Sequence, residues 1–257
     1  MMNRFENFFN DFPHHFRERT TLDWFPCDTE DGFNANLEKY SDSIHLQKYL
    51  ENPIKYELNN YGFRTHDDFT LEGSGNVFLG CSHTFGVGHY LEDTWSHRLS
   101  KKIGGKFYNI SEPSSGAMTQ YRYLKYFSNK IKFKNVFHFL PRECWERFEY
   151  PFNNESPMMM DLSFDNWEGK RFINWINDVI MTETFFNFNV MLHIDSIKNI
   201  CKENGANYYL ITDSYYSDVD PYHKTLIPAR DMEHYYVEEQ HKIADLFYKQ
   251  YKKNNLI

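Results

Sequence analysis

The sequence lacks the residue spacings that indicate a metal centre or a disulfide framework. Its four cysteines are far apart, and no two of them form a C-x-x-C pair. The twelve histidines form no H-E-x-x-H motif, and His83, His89 and His97 are separated by six and eight residues. We therefore predict no metal site, and the free cysteines are typical of a protein made in a reducing, intracellular compartment.

Positive charge is also scarce. The chain has 28 basic and 36 acidic side chains, which gives a formal net charge of −8. A nucleic-acid groove needs clustered lysine and arginine to displace counterions from phosphates. The densest basic stretch, residues 125–134, is interrupted by Tyr126, Phe127, Ile131 and Phe133, and this pattern favours a helix end followed by a strand. We predict no nucleic-acid partner.

Long apolar runs are absent as well. No stretch approaches the roughly 20 apolar residues that span a bilayer. Residues 1–16 carry acidic side chains and two histidines instead of the apolar core of a secretory signal. The expectation is a cytoplasmic protein with no membrane span.

Aromatic side chains, in contrast, are abundant. Phe, Tyr and Trp number 24, 19 and 5, which is 19% of the 257 residues. Hydrophobic residues make up 41% and charged residues 25%, as in ordinary folded proteins. The length suits one large domain or a core domain with an added segment. Core packing is the favoured interpretation of the aromatics, and an aromatic binding surface is the alternative.

The chain divides into a weakly patterned part and a periodic part. Residues 1–70 contain many turn formers, so we predict an irregular N-terminal extension that packs on the core. Residues 71–257 form the predicted main domain, with a long irregular insertion at 142–169. The predicted strands are 76–81, 106–110, 135–140 and 206–211, and the predicted helices are 93–103, 118–127, two stretches within 170–203, and 236–251.

Alternation of strands with helices predicts a parallel sheet covered on both faces. Right-handed crossovers then give a three-layer α/β/α sandwich of the flavodoxin-like type. In such sheets ligands bind beyond the carboxyl ends of the strands. We therefore expect the loops after Cys81, Ile110, Leu140 and Ile211 to face one site.

The glycine-bearing loop after the first of these strands carries the strongest signal. Ser82 lies just past the strand end, where a side chain can project into a site. A simple turn and a phosphate cradle are alternatives, but the P-loop pattern fails because Val87 stands where lysine is required. A serine nucleophile is the third interpretation. The G-x-S-x-G elbow is not matched, because Thr84 occupies its fifth position.

A serine hydroxyl needs an adjacent base that is itself held by a third group. In a D-x-x-H turn, the aspartate can accept the Nδ1–H of the histidine and leave Nε2 free to take the serine proton. The motif occurs at Asp11/His14, Asp220/His223 and Asp231/His234. The last pair is favoured because it directly precedes the final helix, and His223 remains the alternative base.

The combined motifs resemble those of the SGNH, or GDSL-type, hydrolase family. The family's first block, Gly-Asp-Ser-x-Thr-x-Gly, corresponds here to Gly80-Cys81-Ser82-His83-Thr84-Phe85-Gly86. Its last block, Asp-x-x-His before the C-terminal helix, corresponds to Asp231-Met232-Glu233-His234. Residues 60–64 are also similar to a segment that often precedes the first block. The resemblance covers about residues 60–250.

The resemblance implies an ester hydrolase that forms an acyl-enzyme. Ser82 would be the nucleophile, His234 the base and then the acid, and Asp231 the residue that orients His234. The substrate would be a small acyl ester or a carbohydrate ester, and no cofactor or metal is implied.

Two departures from the family pattern affect the expected activity. Cys81 replaces the usual aspartate, and the third block, Gly-x-Asn-Asp, is missing after the strand that ends before Pro141. The implied oxyanion hole then consists of backbone N–H groups of Ser82, Ser114 and Gly116, with Ser114 at the family's glycine position. The candidate substitutes for the missing asparagine are Arg142, Asn153 and Asn154. Loss of one oxyanion donor typically lowers kcat about 10²–10³-fold, so weak activity is expected.

A non-catalytic protein with the same fold, which binds glycans or has a structural role, is the alternative function. It is motivated by the missing asparagine and by the aromatic residues of 142–190, because aromatic faces can stack on sugars. The candidate stacking residues are Phe148, Tyr150, Phe152, Trp167 and Trp175. No oligomeric state is predicted.

Overall fold

The computed structural model describes residues 19–145, 147–152, 156–161, 183–212 and 226–255. Its N-terminal part is more regular than predicted. Residues 19–70 contain β1 (Thr20–Leu22), α1 (Glu30–Lys39), α2 (Ile44–Glu51) and β2 (Tyr56–Leu58), and the two strands pair antiparallel. Residues 19–70 therefore contain two short helices and two short strands within the predicted extension. Their side chains gave weak periodicity because both helices are short and bury only one or two residues each.

Strands and helices alternate through the rest of the described chain. The elements are β3 (Ser74–Gly80), α3 (Ser82–Phe85), α4 (Trp95–Ile103), β4 (Lys106–Asn109), α5 (Ala117–Ser128), β5 (Lys132–Phe139), β6 (Arg147–Phe152), β7 (Ser156–Asp161), α6 (Glu183–Glu203), β8 (Asn207–Ile211) and α7 (Val237–Asn255). Short 3₁₀ helices occupy Leu91–Asp93 and Arg142–Cys144.

The central sheet confirms the predicted fold class. Its four parallel strands follow the order β4-β3-β5-β8. Counted along the sheet's own strands, this is the order second, first, third, fourth, which is the start of the flavodoxin-like arrangement. The order reverses between β3 and β5, so the loop after β3 lies where such folds bind their ligands.

Helices cover both faces of the sheet and complete the predicted three-layer sandwich. Side chains alternate along β3, so Val77 packs with α5 and α6 on one face and Phe78 packs with α4 and α7 on the other. Much of the aromatic excess lies in these two layers. Phe137, for example, stacks on Tyr209 with ring centroids 4.8 Å apart. The core-packing interpretation is thus confirmed for the described aromatics of the sheet.

Local capping sets the predicted ends of α4. The Thr94 hydroxyl accepts the N–H of His97 at 3.3 Å, and Gly104 ends the helix with a φ of 68°. Thr and Gly are favoured at these places because one satisfies an unpaired N–H and the other adopts positive φ at low cost.

The 142–169 segment departs from the predicted irregular insertion. After the 3₁₀ helix, β6 and β7 pair as an antiparallel hairpin. The backbone at Phe148, Tyr150 and Phe152 belongs to β6, whereas Trp167, Trp175, Asn153 and Asn154 lie outside the described residues. Of the two predicted helical stretches within 170–203, the second is α6, and residues 170–182 lie outside the described part.

No helix in the described ranges is long and apolar enough to cross a membrane.

The N-terminal segment packs against the loop that follows β3. Phe33, Tyr49 and Ile54 share one apolar cluster with Phe85 and Val87. The segment therefore forms one wall around the turn that carries Ser82.

A buried ion pair also joins this segment to the residues before α7. Arg230 Nη2 lies 2.6 Å from Asp28 Oδ2, and the two side chains are 1% and 0% exposed. Arg230 Nε contacts both carboxylate oxygens at 3.1 and 3.0 Å, and the Tyr56 hydroxyl donates to the same carboxylate. The guanidinium also lies 3.9 Å from the centre of the Trp24 ring. The pair is therefore enclosed, and several hydrogen bonds fix the carboxylate against the guanidinium.

We expect Asp28→Asn to lower the free energy of unfolding by about 3–5 kcal/mol, because removal of one partner leaves a buried charge uncompensated. The matched control is Asp23→Asn, whose carboxylate pairs with Lys55 at the surface and should contribute about 1 kcal/mol or less. Urea unfolding monitored by tryptophan fluorescence measures both. Similar small losses for the two variants would contradict this role of Asp28.

Candidate active site

The turn after β3 presents Ser82 at the carboxyl edge of the sheet. Ser82 is the first residue of the short helix α3 and is 6% exposed. Gly80 is required just before it, since an added Cβ would lie 2.1 Å from Thr84 Oγ1 and 2.7 Å from the Phe139 carbonyl oxygen. The glycine and the threonine of the first block therefore contact each other, which explains why they occur together.

Gly86 closes this turn. Its N–H donates to the Ser82 carbonyl at 2.7 Å, and its φ of 84° lies in the left-handed region that favours glycine. Thr84 is held from α4, because Trp95 Nε1 donates to its hydroxyl at 3.3 Å and the Ser96 hydroxyl donates to its carbonyl at 3.2 Å.

Arg64 holds the next residues of the loop. Its guanidinium donates to the carbonyl oxygens of Gly86 and His89, the latter at 2.7 Å, and it lies over the Tyr56 ring. Burial lowers the pKa of Arg64 to about 10, so the side chain stays charged at neutral pH. This contact gives the segment at 60–64 a structural role, which its sequence alone did not reveal.

Asp231 and His234 form a hydrogen-bonded pair before α7. The Nδ1 atom of His234 lies 2.5 Å from Asp231 Oδ2, and the two side chains are 11% and 4% exposed. The other carboxylate oxygen accepts the backbone N–H groups of Glu233 and His234 at 3.1 and 3.3 Å. Asp231 is therefore held in one orientation, with both of its oxygens satisfied.

The loop with Asp231 packs directly on the loop that follows Ser82. The Arg230 N–H donates to the Gly88 carbonyl at 2.8 Å. Gly88 has a φ of 73°, and an added Cβ would lie 2.8 Å from Ala229 Cβ and 3.0 Å from Asp231 Oδ1. On the far side, the Asn36 amide donates to the Asp231 carbonyl at 3.1 Å.

The neighbours of Ser82 on both sides reach His234. The His83 and His234 rings have centroids 5.1 Å apart, and His83 stacks on Tyr235 at 3.9 Å. Cys81 is close enough to raise the pKa of His234. The structure thus brings the predicted residues Ser82, His234 and Asp231 into one region. The hydrogen bonds among the described residues include none between Ser82 and His234.

The charge distribution favours a basic His234. Burial alone would lower its pKa, but the Asp231 carboxylate raises it above the ordinary value. Burial alone would raise the pKa of Asp231, but the charge and hydrogen bond of His234 lower it. His89 lies beside the pair, and burial lowers its pKa to about 3, so it adds no positive charge at neutral pH.

The loop before α5 carries two of the implied oxyanion donors. It is tied to β3, because Glu112 N–H and the Ser115 hydroxyl donate to the Gly80 carbonyl at 3.2 and 3.1 Å. Ser114 has a φ of 62°. This is the left-handed conformation that favours glycine, which agrees with the family's glycine at this position. Gly116 is the N-cap of α5, and an added Cβ would lie 2.3 Å from the Arg147 carbonyl oxygen.

Cys81 faces a small polar group that the sequence did not indicate. Arg147 Nη1 lies 3.0 Å from Cys144 Sγ. Burial alone would raise the pKa of Cys81, but hydrogen bonding with Cys144 and the charges of His83 and Arg147 lower it well below the usual value. The polar surroundings of Cys81 therefore more than offset the effect of its burial on the thiol pKa.

The structure does not bring every sequence candidate to this site. Arg142 lies exposed on a 3₁₀ helix with its guanidinium over Trp145. The pairs Asp11/His14 and Asp220/His223 lie outside the described residues.

Gly88→Ala should lower both the stability of the protein and any activity of the site. Alanine disfavours the positive φ of this position, and its methyl group would crowd Asp231. Gly104→Ala is the matched control, since Gly104 has a φ of 68° but an added Cβ meets nothing within 4 Å. Each variant carries a backbone cost of about 1 kcal/mol or more. The thermal midpoint measures that shared cost, and the chemical shift of the Asp231-bonded His234 proton reports the dyad. Equal effects of the two variants on this proton would contradict the packing argument.

One solved structure, from Desulfitobacterium hafniense DCB-2, is similar to this chain and is described as that "of a putative lipolytic protein of G-D-S-L family". The similarity covers 72% of this chain and 75% of that chain, with 15% sequence identity and a TM-score of 0.35. No family model matches the sequence, and no curated protein matches it. The roles of the site residues therefore depend on the geometry of this chain.

Proposed function

We propose that the protein is a serine ester hydrolase that uses Ser82, His234 and Asp231. The observation that carries the proposal is the buried Asp231–His234 pair, packed against the turn that presents Ser82 at the switch point of the sheet. A carboxylate, an imidazole and a hydroxyl in this order are the groups that acyl transfer requires.

The first half of the reaction is acylation of Ser82. Asp231 accepts the Nδ1–H of His234, which leaves a lone pair on Nε2. Nε2 takes the Ser82 hydroxyl proton as Oγ bonds to the ester carbon, and the carbonyl oxygen becomes an oxyanion. When the intermediate collapses, the bond to the alcohol oxygen breaks, and the alcohol leaves with the proton from His234.

The second half is hydrolysis of the acyl-enzyme. Water gives one proton to Nε2, and its oxygen bonds to the acyl carbon. The bond to Ser82 Oγ then breaks, Oγ recovers the proton, and the carboxylic acid leaves. The raised pKa of His234 makes it a stronger base in both halves.

Oxyanion stabilisation comes, in this proposal, from the backbone N–H groups of Ser82, Ser114 and Gly116. The loop that carries the last two is fixed to the Gly80 carbonyl, so these donors are held in place before the substrate binds. A side-chain donor equivalent to the third-block asparagine is missing from the pattern, which supports slow turnover. Small acyl esters and carbohydrate esters are the proposed substrate class.

Ser82→Ala should abolish hydrolysis of p-nitrophenyl acetate and labelling by a fluorophosphonate. His234→Gln and Asp231→Asn should each lower kcat by about 10³-fold or more if the wild-type rate allows it to be measured. Ser128→Ala is the control, because this hydroxyl lies at the end of α5 and donates to the Lys125 carbonyl. Mass spectrometry of the labelled peptide identifies the nucleophile.

Equal background rates for the wild type and Ser82→Ala, with no label on Ser82, would contradict the proposal. In that case the non-catalytic alternative gains weight, and binding to a glycan array tests it directly.

The pH dependence of kcat/KM follows from the raised pKa of His234. The neutral ring is the active base, so activity should rise with pH, with its half-point above the ordinary pKa of histidine. Asp231→Asn removes the main cause of the shift and should move the half-point lower in pH. Glu233→Gln is the matched control, since Glu233 raises the pKa of His234 less than Asp231 does and should produce a smaller shift. A half-point that Asp231→Asn leaves unchanged would assign the titration to another group.

A further inference from the structure

A second cluster of reactive side chains lies outside the proposed active site. It consists of His66, Glu92 and His97, and one potential ligand atom from each lies within 4.8 Å of the others. His66 follows β2, Glu92 belongs to the 3₁₀ helix, and His97 lies in the first turn of α4. Because the three residues come from separate elements, no sequence motif indicates the group.

The chemistry of the group suits a first-row divalent metal ion. Two imidazoles and one carboxylate are a ligand set that zinc uses, and three protein ligands leave one position open. His66 and Glu92 are exposed, so their side chains have room to move towards an ion shared with His97.

A second carboxylate orients His66 for this role. Glu57 Oε2 lies 2.8 Å from His66 Nδ1, and Glu92 Oε1 lies 2.9 Å from Nε2. Glu57 can therefore accept the Nδ1–H and direct Nε2 towards Glu92. A carboxylate behind a ligating histidine in this way is the usual outer support of zinc sites. With the proton on Nδ1, Nε2 carries the lone pair that a metal ion requires.

The buried ring of His97 is an independent indication that the cluster binds a ligand. It is 8% exposed, and none of the described residues makes a hydrogen bond to its buried Nδ1. A buried imidazole without its full set of partners costs stability unless a ligand engages the ring.

Two of the three residues of the cluster also line a cavity. His66 and His97 form part of the wall of a cavity of about 820 Å³, together with Phe69 and Tyr108. The open coordination position could thus be reached by water or a small molecule.

We propose that His66, Glu92 and His97 bind a first-row divalent metal ion, for which zinc is the expected example, and that Glu57 orients His66. The competing explanation is a surface network of ion pairs among His66, Glu57 and Glu92 that binds no metal.

Metal titration of the full chain, without an affinity tag and after chelator treatment, tests the proposal. Isothermal titration with Zn²⁺ should show one site, and Co²⁺ should give the intense visible bands of a four-coordinate complex. His97→Ala, His66→Ala and Glu92→Gln should each weaken binding about 100-fold or more. Glu57→Gln should weaken it about 10–100-fold, the effect expected of an outer carboxylate.

His241→Ala is the matched control, because this histidine lies 3.8 Å from Asp93 and outside the cluster. It should bind Zn²⁺ as the wild type does. Circular dichroism checks that each variant folds. If a histidine variant does not fold, the isosteric Glu92→Gln still tests the proposal. Failure of the wild type to bind, or equal losses in His66→Ala and His241→Ala, would overturn the proposal and leave the ion-pair network as the explanation.

Discussion

The buried ion pair between Asp28 and Arg230 is the contact on which the arrangement of the site depends. Its two residues are 202 positions apart in the chain, yet the carboxylate receives the guanidinium and the Tyr56 hydroxyl together. The same Tyr56 hydroxyl accepts the Gly88 N–H at 2.9 Å, and the Arg230 N–H donates to the Gly88 carbonyl. Three segments therefore meet at one place: the N-terminal segment, the loop after Ser82 and the turn that carries Asp231. Because a buried charge is costly without its partner, these segments have one favourable arrangement rather than several.

A second buried network supports the site from the other face of the sheet. The Tyr208 hydroxyl donates to Nδ1 of His138 at 2.7 Å, and Nε2 of His138 donates to the side-chain Oε1 of Gln120 at 2.6 Å. The Gln120 amide donates to the Ser115 carbonyl at 3.4 Å, and the Ser115 hydroxyl donates to Gly80. Burial lowers the pKa of His138 to about 3, so the ring is neutral and both nitrogens can serve in the chain. In this network each group has a fixed role as donor or acceptor. The hydrogen bonds therefore hold the loop with Ser114 and Gly116 in place, which can sustain the positive φ of Ser114.

The sequence predicted those features that a short stretch of chain determines. The apolar run that became β3, the Thr94 and Gly104 ends of α4, and the three-residue spacing of Asp231 and His234 each depend on local geometry. The regular structure of residues 19–70 and the β6–β7 hairpin were missed, because short elements give little periodicity. Asp28 gave no signal, and Arg64 was noted only as part of the segment at 60–64, because their roles depend on carbonyl groups and charges that only the folded chain brings to them. For the same reason no motif connects His66 with Glu92 and His97.

The two departures from the family pattern, Cys81 and the missing third-block asparagine, affect different properties of the site. Cys81 stands where the family pattern has an aspartate, and Cys144, His83 and Arg147 together lower the pKa of its thiol. Cys81 in turn helps to raise the pKa of His234. The missing third-block asparagine is a different matter, because in the proposed mechanism it would act only on the oxyanion of the transition state. Its loss leaves the turn at Ser82, the Asp231–His234 pair and the core contacts unchanged. The contacts that position Ser82, Asp231 and His234 therefore do not depend on a third-block asparagine, whereas the rate of the proposed reaction would depend on it.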